Sequence, residues 1–149
     1  IGNALFRYPV RVNNSAIPWA TFTEPELAHT GLTEAQARTR RIKIRVTRWP
    51  YNDNERAHTE HDTRGHIKVI TTSKGKIVGT TIVGAQAGEL IAMWTLAIAQ
   101  GMNIRAVTGL VLPSPTLSEL GKRAAIDFFT PRLTSPWVRR IIGWMRIFG

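Results

Sequence analysis

Cysteine is absent from all 149 residues. Its absence excludes disulfides, thiolate nucleophiles and cysteine-bound zinc within this chain. Acids are scarce too: Asp and Glu number 10 against 20 Lys and Arg, a formal net charge of +10. Such a balance invites a nucleic-acid reading. The cations are scattered, however, through Arg38, Arg40, Arg41, Lys43, Arg45 and Arg48, then Lys74 and Lys76, then the C-terminal region. No nucleic-acid motif organises them, so no nucleic-acid partner is expected. No apolar run reaches the roughly eighteen residues of a spanning helix. Arg7 and Arg11 flank a stretch broken by Pro9 and Asn13-Asn14, which is not a signal-peptide pattern. A Gly-x-Gly-x-x-Gly loop is also missing, so the chain by itself is expected to bind no dinucleotide.

What is present reads as one domain with short extensions. Residues 1–16 are expected to be a linker from a preceding domain, 17–130 the domain, and 131–149 a tail. Pro18 to Thr23 alternates as a strand, ended by Glu24-Pro25. Thr33 and Gln36 form a capping-box pattern that starts a helix running to about Arg40. Ile42, Ile44 and Val46 alternate with Lys43, Arg45 and Thr47, a half-exposed strand stopped by Trp49-Pro50. The polar stretch Asn52 to Asp62 reads as a solvated loop or short helix. His58 and His61 lie there at a spacing that suits metal ligation, but no third ligand accompanies them. Gly65–Thr72 and Lys76–Gly84 are β-rich runs joined by a turn at Ser73-Lys74-Gly75. Ala85 to Gln100 is apolar almost all round, a buried helix capped by Gly101. Thr116 to Phe129 is a second helix, with Thr116 and Glu119 as its capping box and Pro131 beyond it. Hairpin-linked strands followed by helices predict an α+β fold, an antiparallel sheet with helices packed on one face.

Four stretches recur in order. They are Thr23-Glu24-Pro25-Glu26-Leu27-Ala28 with Gly31-Leu32-Thr33-Glu34; Gly65-His66-Ile67-Lys68; Ile77-Val78-Gly79 with Ala87-Gly88-Glu89-Leu90-Ile91; and Leu112-Pro113-Ser114-Pro115-Thr116-Leu117-Ser118-Glu119. Together they resemble the dimerisation domain of the FAD-dependent pyridine nucleotide-disulfide oxidoreductases, which include glutathione reductase, dihydrolipoamide dehydrogenase and mercuric reductase. The last stretch is similar to that family's His-Pro-Thr-x-x-Glu signature, with Ser114 at the histidine position. The resemblance implies the C-terminal domain of a dihydrolipoamide dehydrogenase-like flavoenzyme, acting as a homodimer and following FAD and NAD domains on the same polypeptide. FAD and NAD(P) would then belong to the full-length enzyme, with none bound to this chain. In the family the histidine is the acid/base for thiol chemistry and the glutamate holds it. The peptide before the motif proline is cis and sets backbone groups beside the partner's flavin. Carried over, Ser114 and Pro115 would take the flavin-side position, with Ser114 and Glu119 as the catalytic pair. Serine does not titrate near neutral pH, so Glu119 has a second reading as a plain helix cap.

Past the family core, Trp137, Ile141, Trp144, Met145 and Phe148 share one face of a helix at 136–148, with Arg139 and Arg146 opposite. This basic amphipathic tail is expected to dock on protein, the alternative being peripheral membrane contact. The expected compartment is the cytoplasm and the expected activity that of an oxidoreductase, inactive as an isolated fragment. The competing function is a free-standing basic interaction or peripheral membrane module. No metal site is expected.

Overall fold

The computed structural model describes residues 16–130. Five strands, β1 (Trp19–Thr21), β2 (Leu27–Gly31), β3 (Ile44–Pro50), β4 (His66–Thr72) and β5 (Ile77–Val83), form one antiparallel sheet. Their spatial order is β1-β2-β5-β4-β3. The helices are α1 (Glu34–Thr39), α2 (Glu55–Thr59), α3 (Ala87–Ala99), α4 (Ile104–Thr108) and α5 (Glu119–Asp127). None of the described helices is long and apolar enough to cross a membrane.

Strand register decides which face is covered. Pairing aligns Ala28, Ile82, Ile67 and Trp49 in one row, and Thr30, Thr80, Val69 and Thr47 in the next. Side chains alternate along a strand, so both rows point to the same face. There α3 lies over β2 and β5, while α5 lies over β3 and β4. Ile91 and Trp94 of α3 meet Leu120, Ala124 and Phe128 in the buried cluster. The α+β expectation, a sheet covered by helices on one face, is borne out. At the α3–α5 crossing a Cβ on Gly121 would lie 2.9 Å from the Trp94 ring. Glycine there lets the two helices close on the indole.

The intervening residues carry charge on the second face. Lys68 and Arg48 are cross-strand neighbours, and both bind Glu34 of α1, at 3.2 and 3.0 Å. Ile70 and Ala37 are fully buried yet stand outside the main cluster. A short second layer therefore starts under α1. The expected capping box opens that helix: Gln36 N–H donates to Thr33 Oγ1 at 3.2 Å, and Thr33 N–H to Gln36 Oε1 at 2.9 Å.

Several boundaries differ from expectation. The strand begun at Pro18 is only Trp19–Thr21, and β2 was not foreseen. A short run containing Ala28, His29 and Gly31 shows little β character until its neighbours are known. Ile42 lies outside β3 because its N–H closes α1 on the Ala37 carbonyl. The strand also includes Trp49 and Pro50, the pair expected to stop it. As β3 is an edge strand, proline's missing donor breaks no ladder there. The long helix is Ala87–Ala99 rather than 85–100. α4 had not been anticipated. The expected linker, apart from Ala16, and the amphipathic tail lie outside the described residues.

His29 is the unusual member of β2. It is buried on the second face, with Nδ1 2.9 Å from Thr81 Oγ1 and Nε2 3.1 Å from the Gly31 carbonyl. The carbonyl can only accept, so Nε2 carries the proton and the threonine hydroxyl donates to Nδ1. Burial holds its pKa below the ordinary histidine value, and the nearby Lys68 charge acts in the same direction. The unfolded chain thus binds a proton more readily than the fold. Stability present at neutral pH should fall as pH drops through the unfolded value near 6.5 toward the lowered folded value. His29→Gln should flatten that part of a denaturant-melt series between about pH 7 and 5. A second test concerns Gly84, which has φ +147° and whose Cβ would lie 2.4 Å from the buried Tyr51 ring. Gly84→Ala should lower unfolding free energy by about 2 kcal/mol or more in chemical denaturation.

Candidate functional site

The site is built where the chain leaves α4 and enters α5. Leu117 and Leu120 are buried and anchor the approach to α5. The residues between Gly109 and Leu117 form a surface loop in which Ser114 and Pro115 are exposed. The Ser114–Pro115 peptide is cis, as the resemblance implied. A second cis peptide, Glu24–Pro25, was not anticipated.

Glu119 sits in the first turn of α5. Its Oε2 accepts the Thr116 N–H at 3.0 Å and the Ser114 hydroxyl at 3.3 Å. The structure thus brings the three motif residues Ser114, Thr116 and Glu119 together. Thr116 is held on every polar atom. Its hydroxyl donates to the Pro113 carbonyl at 2.9 Å. Its own carbonyl accepts from Asn54 Nδ2 at 3.0 Å.

The capping box expected of Thr116 and Glu119 is only half formed. Glu119 does reach back to the Thr116 amide, but the Thr116 hydroxyl turns to Pro113 instead of the helix. Ser118 takes the N-cap position without a side-chain bond, and α5 runs from Glu119 to Asp127 rather than from 116 to 129. A turn through buried Leu117 separates Thr116 from the helix, which is why the helix starts later.

Sequence reasoning passed over three supports of this region. Asn54 caps α2 by accepting the Ala57 N–H at 3.0 Å, and an Asn directly before Glu55 was the available signal. Tyr51 is buried and donates its hydroxyl to the Ala85 carbonyl at 2.9 Å. Burial pushes that phenol well above its ordinary pKa. Glu26 accepts the Gly88 N–H at 2.9 Å, placing a carboxylate at the positive end of α3. A cavity of about 190 Å³ lies beside the loop, bounded by Arg56 and Glu60 on one side and Pro115, Thr116 and Ser118 on the other.

The histidines do not enter the site. His29 and His66 stand on the second face of the sheet. His58 Nε2 lies 2.6 Å from the Asn52 carbonyl, and His61 follows α2 with φ +56°. Among the described residues, no group of three His, Cys, Asp or Glu could hold a metal ion. Ser114 therefore faces Glu119 with no imidazole hydrogen-bonded to either.

Comparison with known proteins decides the family. The model described as pyridine nucleotide-disulphide oxidoreductase, dimerisation domain, matches residues 17–125. The chain belongs to this family. It is 39% identical over 114 residues to the mitochondrial dihydrolipoyl dehydrogenase of Schizosaccharomyces pombe, covering 76% of this chain and 22% of that protein. Against the dihydrolipoyl dehydrogenase of Bacillus subtilis it is 36% identical over 118 residues, covering 78% and 25%. It thus spans about a quarter of the length of these relatives. The fold is shared with the HOCl-induced flavoprotein disulfide reductase RclA from Escherichia coli, at TM-score 0.77 and 23% identity, over 84% of this chain and 29% of that one. LpdA from Mycobacterium tuberculosis gives TM-score 0.77 and 23% identity, over 85% and 28%. This is a dihydrolipoyl dehydrogenase-like dimerisation domain, and nothing in the comparisons supports a free-standing interaction or membrane module.

Glu119→Ala would leave the Thr116 N–H and the Ser114 hydroxyl without their acceptor. Chemical denaturation should show a loss of about 1 kcal/mol. Glu119→Gln keeps a carbonyl oxygen for the Thr116 amide and should lose less.

Proposed function

We propose that this chain is the C-terminal dimerisation domain of an FAD-dependent NAD(P)-disulfide oxidoreductase that works as a homodimer in the cytoplasm. In this reading its Ser114–Pro115 loop completes the partner subunit's active site. The observation that carries the reading is the loop itself: exposed at Ser114 and Pro115, yet fixed through Thr116 and Glu119.

FAD and NAD(P) would be held by the preceding domains. This chain has no phosphate-cradling glycine loop, and what it offers a flavin is the backbone around Ser114 and Pro115. Bound there, FAD would supply two-electron transfer between the pyridine nucleotide and a cysteine pair. The chain's own part is positional. Glu119 accepts the Ser114 hydroxyl and the Thr116 amide, which keeps the loop in one conformation. The Ser114 hydroxyl can donate or accept a hydrogen bond, but it cannot store a proton near neutral pH. Acid/base work on a dithiol is therefore not assigned to this position. Dimerisation draws support from the outward side of α3, where Ala92 is exposed and Leu96 is 59% exposed. An apolar helix side of this kind suits burial against a second copy.

In the full-length enzyme, Ser114→His would place an imidazole against Glu119. The pH–rate profile for a dithiol substrate should then gain an ionisation above the ordinary histidine value of about 6.5, because the carboxylate favours the charged imidazole. Ser114→Ala should leave kcat/KM within about threefold of the parent, since a lone exposed hydrogen bond contributes little. A loss of about a hundredfold or more with alanine would instead mark the hydroxyl as a catalytic acid or base.

A further inference from the structure

We infer that Asn54 is a positioning residue for the active-site loop, acting through the backbone of Thr116; this rests on the reading of that loop just given. Asn54 is 4% exposed and lies 62 positions from Thr116 in the chain. Its amide is used at both ends. Oδ1 accepts the Ala57 N–H and caps α2, and Nδ2 donates to the Thr116 carbonyl, each at 3.0 Å. Capping alone does not require asparagine, because Asp and Ser cap as well. The second bond does. Aspartate has no proton to give the carbonyl, and serine is too short to reach it while keeping the cap.

A gap lies beside Thr116. The cavity of about 190 Å³ separates Arg56 and Glu60 of α2 from Pro115, Thr116 and Ser118. Where that cavity lies, side-chain packing between α2 and the loop is incomplete, and the hydrogen bond ties the two directly. The restraints supplied by Pro113 and Glu119 stay within the loop and the first turn of α5. They hold the loop to α5, and neither reaches α2. Asn54 ties the loop to α2, which follows β3 after a 3-10 turn at Tyr51–Asp53. Loss of the Asn54 donor leaves the Thr116 carbonyl with the Glu119 N–H at 3.3 Å and removes the side-chain bond that ties the loop to the residue capping α2.

Asn54→Ser and Asn54→Asp both keep an acceptor for the Ala57 amide and remove the bond to Thr116. The pair also guards against one variant failing to fold. In the full-length FAD-loaded enzyme, amide hydrogen exchange should rise at residues 112–118 by about tenfold or more, the equivalent of one lost hydrogen bond. Amides of β4, β5 and α2 should keep their protection. The visible flavin spectrum should shift and kcat should fall, with FAD content and dimer mass unchanged. Loop exchange equal to that of the parent in both variants would overturn the proposal. So would a loosened loop with an unaltered flavin spectrum and kcat, provided Pro115→Ala does alter that spectrum. If Pro115→Ala is silent as well, the loop does not lie beside the flavin; the functional reading then fails first and the role of Asn54 falls with it.

Discussion

The contact of Trp94 with Gly121 sets the geometry on which the site depends. Because residue 121 has no side chain, α5 settles against the indole of α3, and a methyl group there would meet the ring at 2.9 Å. The depth of that seat fixes where α5 lies on the core, and Glu119 is its first residue. Once Glu119 is placed, its carboxylate determines where the Thr116 amide and the Ser114 hydroxyl lie. A chain of short-range consequences thus runs from core packing to an exposed loop. Ile67 and Ile82, paired across β4 and β5, form the floor beneath both helices. The sheet register therefore enters the same chain one step earlier.

Much of this was legible in the residues. The alternation in β4 and β5, the glycine turn between them and the Thr33–Gln36 cap are local signals, and local signals survive folding. The ordered motifs carried the family as well, since each names a backbone requirement at a fixed place. β2 was lost because its character comes from its partners. His29 counts as a strand residue only when Thr81 faces it, and Gly31 ends the strand against Val78 and Gly79. Asn54 was lost for a related reason. Its capping role is visible three residues along the chain, while its bond to Thr116 exists only after 62 residues have folded back. The Thr116–Glu119 box was half right: the pattern foretold the carboxylate's reach but not the turn through Leu117.

The departure at Ser114 acquires a definite physical meaning in this setting. The loop keeps its cis peptide, its glutamate and its remote support, while the group able to carry a proton is gone. What remains suits a surface that shapes and lines a site. The reading therefore assigns electron transfer to domains held elsewhere in the polypeptide and leaves this domain the tasks of pairing subunits and presenting a loop. The four histidines do not restore the lost imidazole: His29 and His66 stand on the far face of the sheet, His58 meets the Asn52 carbonyl, and none is hydrogen-bonded to Ser114 or Glu119.

Completion of the active site by the partner subunit is the central claim, and subunit mixing tests it most directly. One full-length polypeptide would keep its redox cysteines but lack residues 113–118; the other would keep the loop and have its redox cysteines replaced. Each homodimer should be inactive. A purified, differentially tagged heterodimer contains one site with cysteines from one subunit and the loop from the other. It should turn over at about half the parent rate per dimer, as two-fold symmetry requires. A heterodimer that forms, binds FAD and remains as inactive as either homodimer would contradict the account.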